Sequence, residues 1–216
     1  DEIKERVFHS FHRDPITVEE LQLKKTTGTH QRVIDMVAHE LITRERIEEW
    51  KELPGMAPGV DISRDIVKLA AIERHKNTGH VGLGFLGKYG LKRGAVATSI
   101  GHDSHNLVIA GVTDEDMVLA GNRVIENGGG LAIALAGKVL ADLPLPIGGL
   151  MADEPVEVVD EKLEHMKKLS VELGISEDID AFMTLAFISL PVIPKLRLNT
   201  YGVVDVEKHQ VVEARF

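Results

Sequence analysis

The chain changes from an apolar strand pattern to a helix pattern within residues 107–116, which read LVIAGVTDED. Its first six residues form an apolar run that is typical of a buried strand. Thr113 then stands three positions before Asp116, a spacing typical of a capped helix N-terminus. The predicted helix continues to Asn127 and stops at three glycines, residues 128–130. This stretch therefore predicts a strand that is followed directly by a helix.

Further strands and helices are predicted on both sides of this stretch. Short apolar runs predict strands at residues 81–86, 95–100, 131–135 and 139–143, and a closing hairpin at 203–206 and 211–214. Apolar residues at helical spacing predict a helix capped by Ser63 that runs to about Lys76, and a longer helix from Pro155 to Gly174. Strands and helices mix without strict β-α-β alternation. This order favours the α+β class, with a mixed β-sheet and packed helices.

The first 58 residues carry a different pattern. Residues 31–43 are rich in β-branched residues with partial alternation, and they predict one or two strands. So few strands cannot enclose a core, and the run at 53–59, with two prolines and two glycines, predicts a boundary. We therefore predict that residues 1–58 are a short β-rich segment of a separate small domain. This segment is expected to pack on a different sheet from residues 59–216.

Net charge and cysteine content narrow the classes of partner and compartment. The chain has 34 acidic and 25 basic residues, which give a net charge of −9. A surface of that sign repels phosphate backbones and anionic lipids, so nucleic acids and membrane surfaces are poor partners. No apolar run reaches the roughly 18 residues that a membrane-spanning helix needs. The chain has no cysteine, which excludes disulfides and thiolate metal sites and favours a cytoplasmic location.

The most unusual polar cluster lies at residues 101–106, which read GHDSHN. Histidine and aspartate are ligands that zinc, manganese and iron prefer. In a straight strand His102 and His105 would point to opposite faces, but a glycine and Asn106 permit a turn on which they converge. Two interpretations stay open. Either His102, Asp103 and His105 bind a metal, or the cluster is a polar turn whose side chains cap backbone groups.

A second polar cluster lies at residues 73–80, which read ERHKNTGH. Basic residues and a glycine are typical of a helix C-terminus, which is the structural interpretation. In the functional interpretation, Glu73 is buried and contacts the histidine cluster at residues 101–106. The glycines at 82–87 lie within a predicted strand and lack a following helix, so they indicate close packing rather than a dinucleotide site. The sequence also has no Walker loop and no cysteine pair, so no self-sufficient active site is visible.

Several motifs together resemble one known family. Residues 95–106 read AVATSIGHDSHN and are followed by TDEDM at 113–117. Similar motifs follow in order, with NGGG at 127–130, LPLPIGGLM at 143–151 and FMTLAF at 182–187. From about residue 62 to its end, the chain resembles the C-terminal domain of the adenine deaminases, which belong to the amidohydrolase superfamily.

The resemblance implies that this chain is the C-terminal part of a longer enzyme. Members of the family resemble one another in a metal-bearing (β/α)8 barrel, a small β-rich domain built from both sides of that barrel, and this C-terminal domain. Residues 1–58 would then be the returning strands of the small composite domain, and residues 59–216 the C-terminal α+β domain. The implied reaction is the metal-dependent hydrolysis of adenine to hypoxanthine and ammonia, in purine metabolism.

The resemblance also implies where the cofactor and the partners lie. The divalent metal (manganese, iron or zinc) belongs to the barrel, and no ligand of that main centre lies in this chain. The 216-residue chain by itself is therefore expected to be inactive. The expected partners are adenine, the N-terminal barrel region and other copies in a homo-oligomer. The candidates for residues that face the active site are His102, Asp103, His105, Asn106 and Glu73.

Two functions from other classes remain open. In the first, the chain would be a stand-alone module that binds a metal or a purine without catalysis. In the second, it would be a structural domain that completes a fold and mediates assembly. Calorimetry with adenine and with manganese separates these two, because only the first binds either ligand.

Overall fold

The computed structural model describes residues 2–216. Its large sheet contains β1 (His30–Met36), β2 (Thr43–Glu49), β3 (Ile66–Ile72), β4 (Val81–Gly87), β5 (Ala95–Thr98), β6 (Leu107–Gly111), β7 (Gly130–Leu135) and β8 (Lys138–Pro144). A small sheet contains β9 (Leu196–Asn199), β10 (Gly202–Asp205) and β11 (Gln210–Val212). The α-helices are α1 (Glu2–Phe8), α2 (Asp114–Glu126), α3 (Val156–Glu172) and α4 (Ala181–Ile188). Within the described part, none of these helices is long and apolar enough to cross a membrane.

The large sheet has eight strands in the order β2-β1-β4-β3-β6-β5-β7-β8. β1 and β4 run parallel, and every other neighbouring pair runs antiparallel. Because strand side chains alternate between faces, the strands contribute to two separate core clusters. α2 packs on one face, whereas α3, α4 and the small sheet pack on the other. The predicted α+β class, with a mixed sheet and packed helices, is confirmed.

The predicted change from strand to helix at residues 107–116 is confirmed. β6 ends at Gly111, and the Thr113 hydroxyl accepts a hydrogen bond from the Asp116 amide at 3.3 Å. Asp114, in the first turn of α2, forms a buried ion pair with Lys68 of β3, with 2.7 Å between Nζ and Oδ1. This pair ties the helix to the centre of the sheet. The strands predicted from residue 81 to residue 143 and the helix predicted after Pro155 also form.

The helix predicted between Ser63 and Lys76 is wrong, because this segment forms the central strand β3. All seven residues of β3 are buried, and the strand lies between β4 and β6. A strand that is covered on both faces shows no alternation, so periodicity alone does not distinguish it from a helix. Ser63 lies in a short 3-10 turn, where its amide donates a hydrogen bond to the Asp61 side chain at 3.0 Å.

We expected the strands of the N-terminal part to lie on a separate sheet, and this expectation is wrong. β1 joins the large sheet beside β4. Val33 and Ile34 of β1 are completely buried, and they pair in parallel with Phe85 and Leu86. A strand that is apolar on both faces needs neighbours on each face, and β4 with the layers around it provides them. The division into domains at residues 58 and 59 remains a prediction.

The small sheet packs closely on β4 because two glycines leave room for it. A Cβ atom at Gly82 would lie 1.8 Å from the Asn199 carbonyl oxygen, and one at Gly84 would lie 3.0 Å from the Val203 side chain. These glycines therefore serve close packing, as the sequence predicted. β10 and β11 form the predicted closing hairpin, and β9 adds a strand that the sequence analysis missed.

Candidate functional site

The histidine turn, which we define as residues 101–106, connects β5 to β6 and rests on the C-terminal end of α4. The His102 amide donates a hydrogen bond to the Ala186 carbonyl at 2.9 Å. The Ser189 hydroxyl donates to the His102 carbonyl at 3.2 Å and to the Ala186 carbonyl at 3.1 Å. The last turn of α4 thus fixes the first half of the histidine turn.

The turn brings the two histidines together, as the sequence analysis required for a shared site. The ring centroids of His102 and His105 lie 6.1 Å apart, and the His102 ring packs at 5.0 Å from the Phe187 ring. His105 has a left-handed backbone, with φ of +51°, and its amide donates to the Gly101 carbonyl at 2.5 Å. This backbone bend places the two imidazoles side by side.

The electrostatic surroundings of His105 favour its neutral form. Partial burial lowers the pKa of His105, and the nearby His102 and Arg74 lower that pKa further. His105 Nδ1 and Asn106 Oδ1 are buried, and among the residues that the structure describes neither atom has a hydrogen-bond partner. A neutral imidazole can both donate and accept a hydrogen bond. The turn therefore holds polar atoms that its own backbone does not use.

Three of the candidate residues were also considered as metal ligands. Asp103 is 89% exposed at its side chain, and its Oδ1 lies 3.9 Å from Nδ1 of His102. Across residues 2–216, no group of three or more His, Asp or Glu side chains is placed to hold a metal ion. The interpretation of His102, Asp103 and His105 as metal ligands remains a prediction.

Glu73 caps the hairpin between β3 and β4 instead of facing the histidines. Its two carboxylate oxygens accept hydrogen bonds from the amides of His75, Lys76 and Thr78, at 2.6, 2.9 and 3.0 Å. Burial acts to raise the pKa of Glu73, but these amide hydrogen bonds outweigh it and lower the pKa to about 2. Glu73 is thus a structural cap.

Arg74 and His75, which follow Glu73, make the contacts with the histidine turn that Glu73 lacks. Arg74 Nε donates to the His105 carbonyl at 2.7 Å, and His75 Nε2 lies 2.6 Å from the Ser104 carbonyl oxygen. Neither residue was predicted from the sequence to have this role. The one local sign is that Arg74 lies two residues after the end of the buried strand β3.

Two cavities lie away from the histidine turn. One of about 470 Å³ is lined by the loop between β1 and β2, by Lys88 and by residues 176–184. Another, of about 570 Å³, is lined by the C-terminal half of α3 and by residues 177–180. No residue of the histidine turn lines either cavity.

Comparison with known proteins places the chain in a family. The family model of the adenine deaminase C-terminal domain matches residues 40–210. Adenine deaminase 2 of Carboxydothermus hydrogenoformans is 46% identical over 181 residues, which are 84% of this chain and 32% of that protein. The adenine deaminase of Kosmotoga olearia is 48% identical over 185 residues, 86% of this chain and 32% of the relative. The adenine deaminase of Archaeoglobus fulgidus is 47% identical over 198 residues, which are 92% of this chain and 34% of that protein.

The lengths of these matches show how the chain relates to the whole proteins. The chain spans about a third of the length of the curated relatives that it matches. The matched residues 40–210 include the histidine turn, the residues of α4 that support it, and Arg74. The chain belongs to the adenine deaminase C-terminal domain family.

Proposed function

We propose that the chain is the C-terminal domain of a longer, metal-dependent adenine deaminase, which hydrolyses adenine to hypoxanthine and ammonia. The match of residues 40–210 to this one domain family carries the proposal. It is supported by relatives that are named adenine deaminase and are about three times as long as the matched part. In this proposal the chain works together with the N-terminal barrel region, and adenine is the substrate.

We assign the metal of this reaction to the part of the longer protein that lies outside this chain. The part that the structure describes contains no cluster of three His, Asp or Glu side chains suited to a metal ion. This assignment holds for a manganese, an iron or a zinc ion.

The histidine turn is the part of this chain that we place at the mouth of the active site. The side chain of His102 is about one-third exposed. The surroundings of His105 lower the pKa of its imidazole, so His105 is neutral near neutral pH. Imidazoles in these states can hydrogen-bond to a purine ring nitrogen or amino group, and they can donate or accept a proton. The turn would also cover the bound purine and limit the entry of water.

The experiment compares the full-length protein that carries this chain with the purified 216-residue chain. Each is supplied with adenine and with manganese or zinc, and release of ammonia and formation of hypoxanthine are measured. We expect turnover from the full-length protein but not from the 216-residue chain, because metal-assisted hydrolysis needs a fixed ligand set with an open position. Metal-dependent turnover by the 216-residue chain, or no turnover by a folded full-length protein, would contradict the proposal.

A further inference from the structure

Arg74 is a buried guanidinium group that is held by backbone carbonyls. Its residue exposure is only 1%. Nε donates to the His105 carbonyl at 2.7 Å, Nη2 to the Gly148 carbonyl at 3.0 Å, and Nη1 to the Ser10 carbonyl at 3.4 Å. Among the described residues, no carboxylate forms an ion pair with it within 4.0 Å. Burial consequently lowers the pKa of Arg74.

The three carbonyls belong to segments that are far apart in the sequence. They lie in the N-terminal segment after α1, in the histidine turn, and in the loop that follows β8. The Phe11 ring, also in the N-terminal segment, packs against the guanidinium group at 4.8 Å. Gly149 faces the group as well, because a Cβ atom there would lie 2.8 Å from Nη2. One side chain thus connects three loops at the end of the sheet.

An arginine suits this position for a geometric reason. A buried cation is costly unless hydrogen bonds replace its hydration, and a carbonyl accepts without neutralising the charge. The planar guanidinium fork presents five N–H donors in fixed directions, so it reaches several acceptors at once. A lysine ammonium is a point donor on a flexible stem and does not reproduce this fork.

The contact of Arg74 with the histidine turn acts on the backbone of His105. The His105 amide is held by the Gly101 carbonyl at 2.5 Å, and the His105 carbonyl is held by Arg74 at 2.7 Å. The preceding carbonyl, of Ser104, is held by His75 at 2.6 Å. The backbone of His105 is thus held on both sides, which fixes the point at which its side chain leaves the turn.

We propose that Arg74 is a positioning residue, which holds the imidazoles of the histidine turn in place and couples them to the N-terminal segment and the loop after β8. Its effect on turnover rests on the proposed function of that turn. Its effect on the order of the turn does not, because the hydrogen bonds that carry it lie within this chain.

The chain offers a matched control in Arg197. Arg197 is also 1% exposed, and its guanidinium group donates to the Ile193 carbonyl at 2.8 Å and to the Leu41 carbonyl. None of these contacts involves the histidine turn. Arg74→Lys and Arg197→Lys therefore remove a similar buried fork at two different places.

The experiment measures backbone hydrogen exchange of the histidine turn by mass spectrometry, together with kcat and KM, in the full-length protein. For Arg74→Lys we expect exchange in the turn to accelerate at least about tenfold, and kcat to fall about 10- to 100-fold with a smaller change in KM. Arg197→Lys should leave the exchange of the turn and the kinetics as in the wild type.

The two measurements separate the inference from the function that it rests on. Unchanged exchange of the turn in Arg74→Lys overturns the positioning role, whatever the turnover. Faster exchange with unchanged kcat supports the positioning role and contradicts the function proposed for the turn. If Arg74→Lys does not fold, Phe11→Ala serves instead, since it removes the ring that packs on the guanidinium group. Unchanged exchange of the turn in Phe11→Ala would then overturn the coupling.

Discussion

Two polar turns lie close together at one end of the large sheet, and they use their side chains in opposite ways. In the hairpin at residues 73–80, the Glu73 carboxylate accepts hydrogen bonds from three backbone amides and from the Thr78 hydroxyl, all within its own turn. In the histidine turn, His105 Nδ1 and Asn106 Oδ1 have no hydrogen-bond partner within residues 2–216, and hydrogen bonds from neighbouring segments hold the backbone. A polar cluster is thus a candidate for chemistry when other residues hold its backbone and leave its side chains free.

The largest expected effect is on turnover, from the histidine turn. We expect His102→Ala in the full-length protein to lower kcat about 100-fold, as the loss of a proton-transfer or hydrogen-bonding group does. Its melting temperature should change little, because the backbone hydrogen bonds of His102 to the end of α4 are kept and only the contact of its partly exposed ring with Phe187 is lost. His209→Ala is the control, since His209 is exposed in the turn between β10 and β11. Equal kinetics for both variants would return the histidine turn to a structural role.

The next effect is on stability, from Glu73. We expect Glu73→Gln to lower the free energy of unfolding by about 1–2 kcal/mol at pH 7, because the neutral amide is a weaker acceptor for three N–H groups. The folded-state pKa of Glu73 is about 2, below its ordinary value, so its charged form stabilises the fold above about pH 4.5. This stabilisation is lost as the pH falls towards 2.

Urea unfolding at pH 7 and pH 3 checks this pH dependence. The difference between Glu73→Gln and the wild type should shrink at the lower pH. Glu161→Gln, at an exposed position on α3, is the control and should leave the midpoint unchanged at both values. A difference for Glu73→Gln that stays constant with pH would show that its charge does not stabilise the hairpin.

The smallest effect concerns the titration of His105. We expect its imidazole to titrate below the ordinary value of about 6.5, because burial, His102 and Arg74 lower the pKa. Protonation of His105 then favours the unfolded state. The free energy of unfolding should therefore rise with pH through the window just below 6.5, as the imidazole loses its proton. Nuclear magnetic resonance of the histidine ring protons measures the titration. A pKa at or above the ordinary value would contradict these surroundings.

The sequence predicts those parts of the fold whose signals are local. The cap at Thr113 and the glycines after α2 lie within the segment that they terminate, so α2 is recognised at both ends. β3 is different, because a strand that is buried on both faces has no alternation to detect. The parallel pairing of β1 with β4 joins residues about fifty positions apart, and nothing local in either strand encodes it.

The candidate site divides in the same way. The composition of the GHDSHN motif marks the histidine turn, and its glycine and asparagine predict the bend that brings the rings together. Its supports are not visible in the sequence. Arg74 reaches segments near residues 10, 105 and 148, and Phe187 comes from α4, so only the tertiary fold brings them to the turn.

The most direct test of the account measures His105→Ala and Glu73→Gln side by side in the full-length protein, for both kcat and the midpoint of unfolding. We expect a crossed result. His105→Ala should lower kcat about 100-fold with a small change in the midpoint, whereas Glu73→Gln should lower the midpoint and leave kcat unchanged. If both variants lower the midpoint and neither lowers kcat, both turns are structural, and the histidine turn takes no part in the deamination of adenine.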